Sequence, residues 1–516
     1  MGCLATGVAA TVVGVVTHAF YFNKYECHMH AILYIQLFLA SWTTSILAFI
    51  LGPGWEIGEA VAVTSIAASC FLAGTYGSLL TYRIFLNPLN RFPGPWTARL
   101  SSFFWTLQLG NSDAHLRLQA LHKKYGSIVR IGSADLSVID PAGMEITYGA
   151  DTKVTKASCA FSDRAIRAYE PIIDGFNDKI LKRIREFEGT PVNVSKWFNL
   201  YSFDAMGSLA FGKDYHMLDS GEKHPALQLL SEGMQPLAYF IPSWLFRLLV
   251  SIPGLASGFH KFEKFSVDEL GWKVEHAHMV EQEGRQDIMS WLLKPYKPTD
   301  KPQHDHLLQA DTRLIIVAGV LRADALRSDT TAAALTYLFF YLAQDAAQVK
   351  RLREELRPLT QNDWSDKDIR NAPYLNGAIN ESMRLHPPTP SGLHRLTPPE
   401  GITIGDTYIP GNITYIMPQF VMGRDESSYE EPNAFVPERW YSRPEMVKRP
   451  EAYAPFSMGP YNCIGKNVAL TELRTLTARL ILEFDVKLAS GQKPIIHTTD
   501  HFTVDVGDLN LVFTKP

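Results

Sequence analysis

The chain of 516 residues carries 49 Lys+Arg against 53 Asp+Glu, a formal net charge of −4, and 46% of it is apolar. That balance excludes a polybasic nucleic-acid binder, and the apolar content excludes a mainly disordered chain. The five cysteines, Cys3, Cys27, Cys70, Cys159 and Cys463, are odd in number and scattered, which argues against a disulfide framework and leaves room for one with a chemical task.

Three stretches near the N-terminus, 1–23, 31–55 and 60–82, contain no Lys, Arg, Asp or Glu. Each approaches the roughly 20 residues needed to cross a bilayer, so residues 1–82 are expected to form a membrane anchor of two to three transmembrane helices. Lys24 lies in the first connection, Gly52–Glu59 holds only acids, and Arg83, Arg91 and Arg99 follow the last span. This asymmetry predicts a multi-pass protein whose remaining chain faces the cytosol. Pro88, Pro93 and Pro95 block helix within 83–99 and predict a stiff, extended connector.

Residues 127–140 alternate in short β-branched runs around Gly132-Ser-Ala-Asp135 and read as a hairpin. From about 165 to 385 the pattern is helical, and Phe502–Val506 and Leu509–Phe513 return to strand. Residues 100–516 therefore read as one large domain, mainly α with small β-sheets. Asn193-Val-Ser195 and Asn412-Ile-Thr414 match the glycosylation pattern, but a cytosolic domain never meets the transferase.

The chemistry is expected at Cys463. It stands in Phe456-Ser-Met-Gly459-Pro-Tyr-Asn-Cys463-Ile-Gly465, just before an apolar helical pattern through Leu470, Leu473, Leu476 and Leu480. A helix start lowers a thiol's pKa and favours the thiolate, while flanking glycines let the backbone approach a flat ligand. A thiolate can bind haem iron and donate electron density that favours O–O cleavage.

Here the sequence resembles the cytochrome P450 family, from about Pro88 to the C-terminus. Two further signatures support the resemblance. Glu381-Ser-Met-Arg384 precedes Leu385-His-Pro-Pro388, and Pro437-Glu-Arg439-Trp440 follows downstream. In relatives the Glu and the two arginines form a buried triad behind the haem, so Glu381, Arg384 and Arg439 are its expected members. Order and context carry this assignment, since Glu354-Glu-Leu-Arg357 also matches Glu-x-x-Arg and reads as a solvated helix face. The resemblance makes Cys463 the axial iron ligand, assigns Phe456, Gly459 and Gly465 to the haem loop, and gives Arg395 a haem propionate, for which a guanidinium fork is suited.

Relatives carry Ala-Gly-x-Asp-Thr-Thr in a helix over the haem, which makes Asp329 and Thr330 the implied proton relay. The two halves of that pattern are separated by Val320–Arg327, and eight extra residues at about 100° each leave the upstream half about 80° out of phase. If the helix simply continues, Arg327 takes the place of the glycine. The family's Trp-x-x-x-Arg helix is also missing near 158–161, and Tyr461 replaces a cation common two residues before the cysteine. The resemblance thus implies a cytochrome P450 fold behind a multi-span anchor. Haem b is its implied cofactor, and NADPH supplies electrons through a partner reductase, because no flavin or nicotinamide segment is visible. The implied substrate is a small apolar molecule, the location the endoplasmic reticulum, and the subgroup that of filamentous fungi, which often decorates secondary metabolites. A second reading is a haem-binding member whose insertion and deletion impair or abolish turnover.

Overall fold

The computed structural model describes residues 2–25, 27–108, 113–144, 163–224, 243–252, 254–255, 257–275, 287–289, 330–361, 363–459, 462–493, 496–501 and 503–516. The chain divides into two compact units, the first made of 1–108, 129–136 and 240–256 and the second of the remainder.

In the first unit, helices α1 (Gly2–Thr17), α2 (Ala31–Leu51) and α3 (Ile57–Thr81) belong to three segments long and apolar enough to cross a membrane. Small residues decide how α1 and α3 meet. A Cβ on Gly7 would lie 3.3 Å from Cys70 Sγ, one on Gly14 would collide with the Phe71 carbonyl, and one on Gly74 with the Thr11 carbonyl. Residue numbers rise together along the contact, so the two helices run parallel with their backbones touching, the packing small residues permit. Further along, His18 Nδ1 and Ser78 Oγ are 2.9 Å apart. Helix α2 buries none of its residues, and its Trp42 Nε1 donates to Ser65 Oγ of α3 at 3.2 Å.

The connector departs from the expected extended form. Pro88–Arg91 and Trp96–Arg99 are single 3₁₀ turns separated by extended residues. Proline is tolerated at a first helical position because its missing N–H has no partner there anyway, and Asn87 Oδ1 caps the turn by accepting the Leu89 N–H at 2.8 Å. The connector is tied down by Arg130, whose N–H donates to Pro93 at 2.8 Å and whose Nη1 donates to Asn90 Oδ1 at 2.7 Å. Arg130 ends β1 (Ile128–Arg130), and the expected hairpin with β2 (Asp135–Val138) is present, closed by Ile131 N–H on Asp135 O at 3.0 Å.

The second unit is mainly helical. Around its core stand α4 (Ala114–Tyr125), α5 (Asp163–Glu186), α6 (Val194–Phe211), α7 (Thr330–Leu342), α8 (Ala346–Leu356), α9 (Pro373–Leu385) and α10 (Lys466–Glu483). Asn193 caps α6 by accepting from Lys196 N–H at 3.2 Å, and its Nδ2 donates to Asp508, so this glycosylation-like asparagine is committed to structure. Gly212 ends the same helix in the left-handed conformation at φ 74°. Helix α7 is buried from Thr331 to Phe340, hence apolar on every face, and it packs within the main core cluster.

The strands are short. β3 (Pro191–Asn193), β11 (Asn510–Thr514) and β8 (Asp485–Leu488) form one antiparallel sheet with β11 central. β4 (Arg395–Leu396) pairs with β7 (Thr414–Ile416), Arg395 opposite Tyr415. β5 (Ile402–Ile404) pairs with β6 (Thr407–Ile409), and β9 (Thr498–His501) with β10 (Thr503–Val506).

Candidate active site

Helix α9 begins with Pro373 at its first position and stops at His386, where Pro387 and Pro388 forbid another turn. Its last turn brings Glu381 and Arg384 onto one face. Arg384 grips the carboxylate with Nε and Nη2 at 2.9 and 2.8 Å, and Arg439 Nε reaches the same Oε1 at 2.9 Å. All three side chains are sealed from solvent. Burying these charges is tolerable because their remaining donors are satisfied. Arg384 donates to the carbonyls of Gly423, Pro432 and Ala434, and Arg439 to those of Glu430 and Glu431. Two contacts were not foreseen: Trp440 Nε1 donates to Glu381 Oε2 and Val436 N–H to Oε1, each at 2.9 Å. Trp440 is adjacent to Arg439 in the sequence, and the need of an indole N–H for an acceptor was the signal available. The competing motif stays outside, since Glu354 and Arg357 are exposed.

Beyond α9, His386 is half-buried, stacks on Tyr337 of α7 at 3.8 Å, and has Nε2 3.0 Å from Tyr341 Oη. Burial, reinforced by Arg424, holds its pKa well below the usual imidazole value, so it is neutral.

Cys463 lies on a loop drawn shut by its own N–H, which donates to the Phe456 carbonyl at 2.6 Å. Ser457 and Gly459 supply the reversal with φ of 59° and 57°. Phe456 packs against the main core cluster, whereas Cys463 is exposed. Gly465 caps α10, and a Cβ there would meet nothing within 4 Å. The sequence's thiol is therefore presented outward, at a helix start, beside an open backbone. Arg395 is half-buried on β4 with Nη1 donating to the His394 carbonyl at 2.8 Å. Thr330 is half-buried at the first described residue of α7. Asp329, the 320–327 insertion, the 158–161 deletion site and Tyr461 lie outside the described residues.

The sequence profile of the family described as Cytochrome P450 matches residues 152–508. The chain belongs to the cytochrome P450 family. Its P450 relatives are monooxygenases, and so is this chain. Cytochrome P450 monooxygenase notG' of Aspergillus versicolor is 36% identical over 98% of this chain and 97% of its own length. Cytochrome P450 monooxygenase lcsK of Purpureocillium lilacinum is 38% identical over 98% and 97%. Tryprostatin B 6-hydroxylase of Aspergillus fumigatus is 36% identical over 100% and 96%. The family implies haem, and this P450 fits it: an exposed thiol at a helix start, beside Gly465 where a Cβ would meet nothing within 4 Å, leaves room for a planar ligand. The other cysteines with described side chains, Cys27 and Cys70, lie in the apolar N-terminal segment.

Proposed function

We propose that this P450 is a membrane-bound haem-thiolate monooxygenase that inserts one oxygen atom into a small apolar molecule of fungal secondary metabolism, with electrons from a membrane NADPH reductase. The observation that carries the reading is the exposed Cys463 on its closed loop at the start of α10. When bound there, haem supplies dioxygen activation, and a thiolate ligand favours O–O cleavage. Cys463 Sγ would hold the iron, Phe456, Gly459 and Gly465 would shape the loop against the ring, and Arg395 would pair with a propionate. The buried Glu381–Arg384–Arg439 cluster holds the segment 430–446 against α9. Thr330 Oγ1, with Asp329 as its proton source, would deliver a proton from α7.

Three observations support the anchor. Besides the length and apolarity of the helices, Tyr21, Phe22, Tyr25 and Tyr34 cluster at one turn between them, and Phe49 stacks on Trp55 at 4.7 Å near the other. Aromatic residues favour the two membrane–water interfaces. The parallel run of α1 and α3 also agrees with a chain that crosses, returns and crosses again.

Tryprostatin B is the first substrate to try, because two relatives are named for its 6-hydroxylation. Membranes carrying the chain, a P450 reductase and NADPH should transfer one ¹⁸O atom from labelled dioxygen to a product. Haem-loaded protein that consumes NADPH without labelled product from any apolar substrate tested would favour the reading of impaired turnover, which Val320–Arg327 motivates.

A further inference from the structure

The hairpin β9–β10 is fastened at two places that bear on the site, and its fastening uses a buried carboxylate that the assigned chemistry leaves without a task. Thr498 and Asp500 share one face of β9, two residues apart. Thr498 Oγ1 meets Tyr337 Oη of α7, the helix whose first described residue is Thr330. Asp500 is fully buried and its Oδ2 accepts from the hydroxyl of Ser391, itself buried. Directly across the hairpin from Asp500, Val504 donates its N–H to the Pro388 carbonyl at 3.1 Å. His115 Nδ1 of α4 lies 3.7 Å from the same Asp500 oxygen, too far for a hydrogen bond.

Ser391 opens the short turn that leads from the end of α9 to Arg395. Gly392 follows at φ 76°, and a Cβ there would collide with the Met417 carbonyl, so this turn has almost no freedom on that side. Its far end is held by the pairing of Arg395 with Tyr415. The near end is held by Pro388 and Ser391, which bond to Val504 and Asp500 of the hairpin.

We propose that Asp500 is a positioning residue for Arg395: through Ser391 it fixes the turn that sets where the guanidinium stands, and this rests on the reading of Arg395 as a haem-propionate partner. Burying a carboxylate is costly unless its hydrogen bonds are made, so an acceptor this enclosed is retained for the geometry it imposes.

The test is the rate at which full-length holoprotein in detergent loses haem to apomyoglobin. Arg395→Ala should raise that rate about tenfold or more, the loss expected for one charge-assisted contact. Asp500→Ala and Ser391→Ala should each raise it comparably, and Asp500→Asn, whose amide oxygen still accepts from Ser391, should stay within about twofold of the parent. The decisive variant is Asp500→Ala with Arg395→Ala, which should lose haem no faster than Arg395→Ala alone, because Asp500 acts through Arg395. Multiplied effects in the double variant would overturn the proposal, showing that Asp500 stabilises the fold generally. Parent-like retention in both Asp500→Ala and Ser391→Ala, with Arg395→Ala impaired, would overturn the proposal and leave the propionate assignment standing. No change in Arg395→Ala contradicts the propionate assignment and the proposal with it. If Asp500→Ala does not fold, Ser391→Ala, which removes one hydroxyl, decides the matter.

Discussion

Glu381 receives five donors from four residues, and removing it strands two buried guanidinium groups. Glu381→Ala or Arg384→Ala should therefore lower stability by about 3–5 kcal/mol and give haem-poor protein, read as thermal midpoint and haem content. Parent values in either variant would contradict the buried triad. Trp440→Phe removes only one hydrogen bond to that carboxylate and should cost about 1.5–3 kcal/mol. His122 adds a pH dependence of known sign. It is buried in α4 with Nδ1 2.7 Å from the Gly126 carbonyl and Nε2 2.8 Å from Ser137 Oγ. Burial, only partly offset by the Gly126 bond, lowers its pKa to about 4. The unfolded imidazole takes up a proton below about pH 6.5, the folded one only near pH 4, so stability present at neutral pH is lost as pH falls through that window. The loss amounts to at most about 3 kcal/mol, and His122→Gln should reduce the drop in thermal midpoint between about pH 7 and about pH 5. An unchanged drop would assign the acid sensitivity to other groups, His386 first. At this scale the arginine and glutamate partners were legible because a motif in fixed order names them. Trp440, Ser391 and Asp500 were not, because their roles arise from contacts between residues far apart in the chain.

The helix α1 was legible as an apolar run but not as a packed element, since Gly7, Gly14 and Gly74 acquire meaning only when α3 is laid beside them. Gly7→Cys should form a disulfide with Cys70 on mild oxidation, detected as a mass loss of two hydrogens, because the new Cβ would stand 3.3 Å from Cys70 Sγ. Adding Gly14→Ile should abolish the crosslink by driving the backbones apart; persistence of the crosslink would refute the contact. The prolines keep α-helix out of 87–95, yet they could not show that Asn87 and Pro88 start a 3₁₀ turn. Helix α7 was legible from Thr330 onward, and the phase problem upstream of it leads to its own expectation. Deleting Val320–Arg327 should bring Gly319 and Ser328 together as in relatives, and product formed per NADPH should be at least that of the parent. Thr330→Ala in either background should divert reducing equivalents to peroxide, since proton delivery is impaired. Loss of haem on deletion, with a parent that turns over normally, would show the eight residues to be integral to the helix.

At the scale of the molecule, an apolar N-terminal segment and a mainly helical P450 domain account for the sequence's most marked features. The fold class was legible because long helical patterns and a few short motifs suffice for it, whereas the pairing of short strands such as β4 with β7 depends on distant partners and was not. The haem site follows from one residue more than any other, so the reduced-plus-CO difference spectrum of membranes holding the parent and Cys463→Ser is the most direct test. The parent should give the thiolate-type band, and Cys463→Ser should lose it. A thiolate-type band that survives in Cys463→Ser would contradict the assignment of the iron ligand and the enzyme built around it.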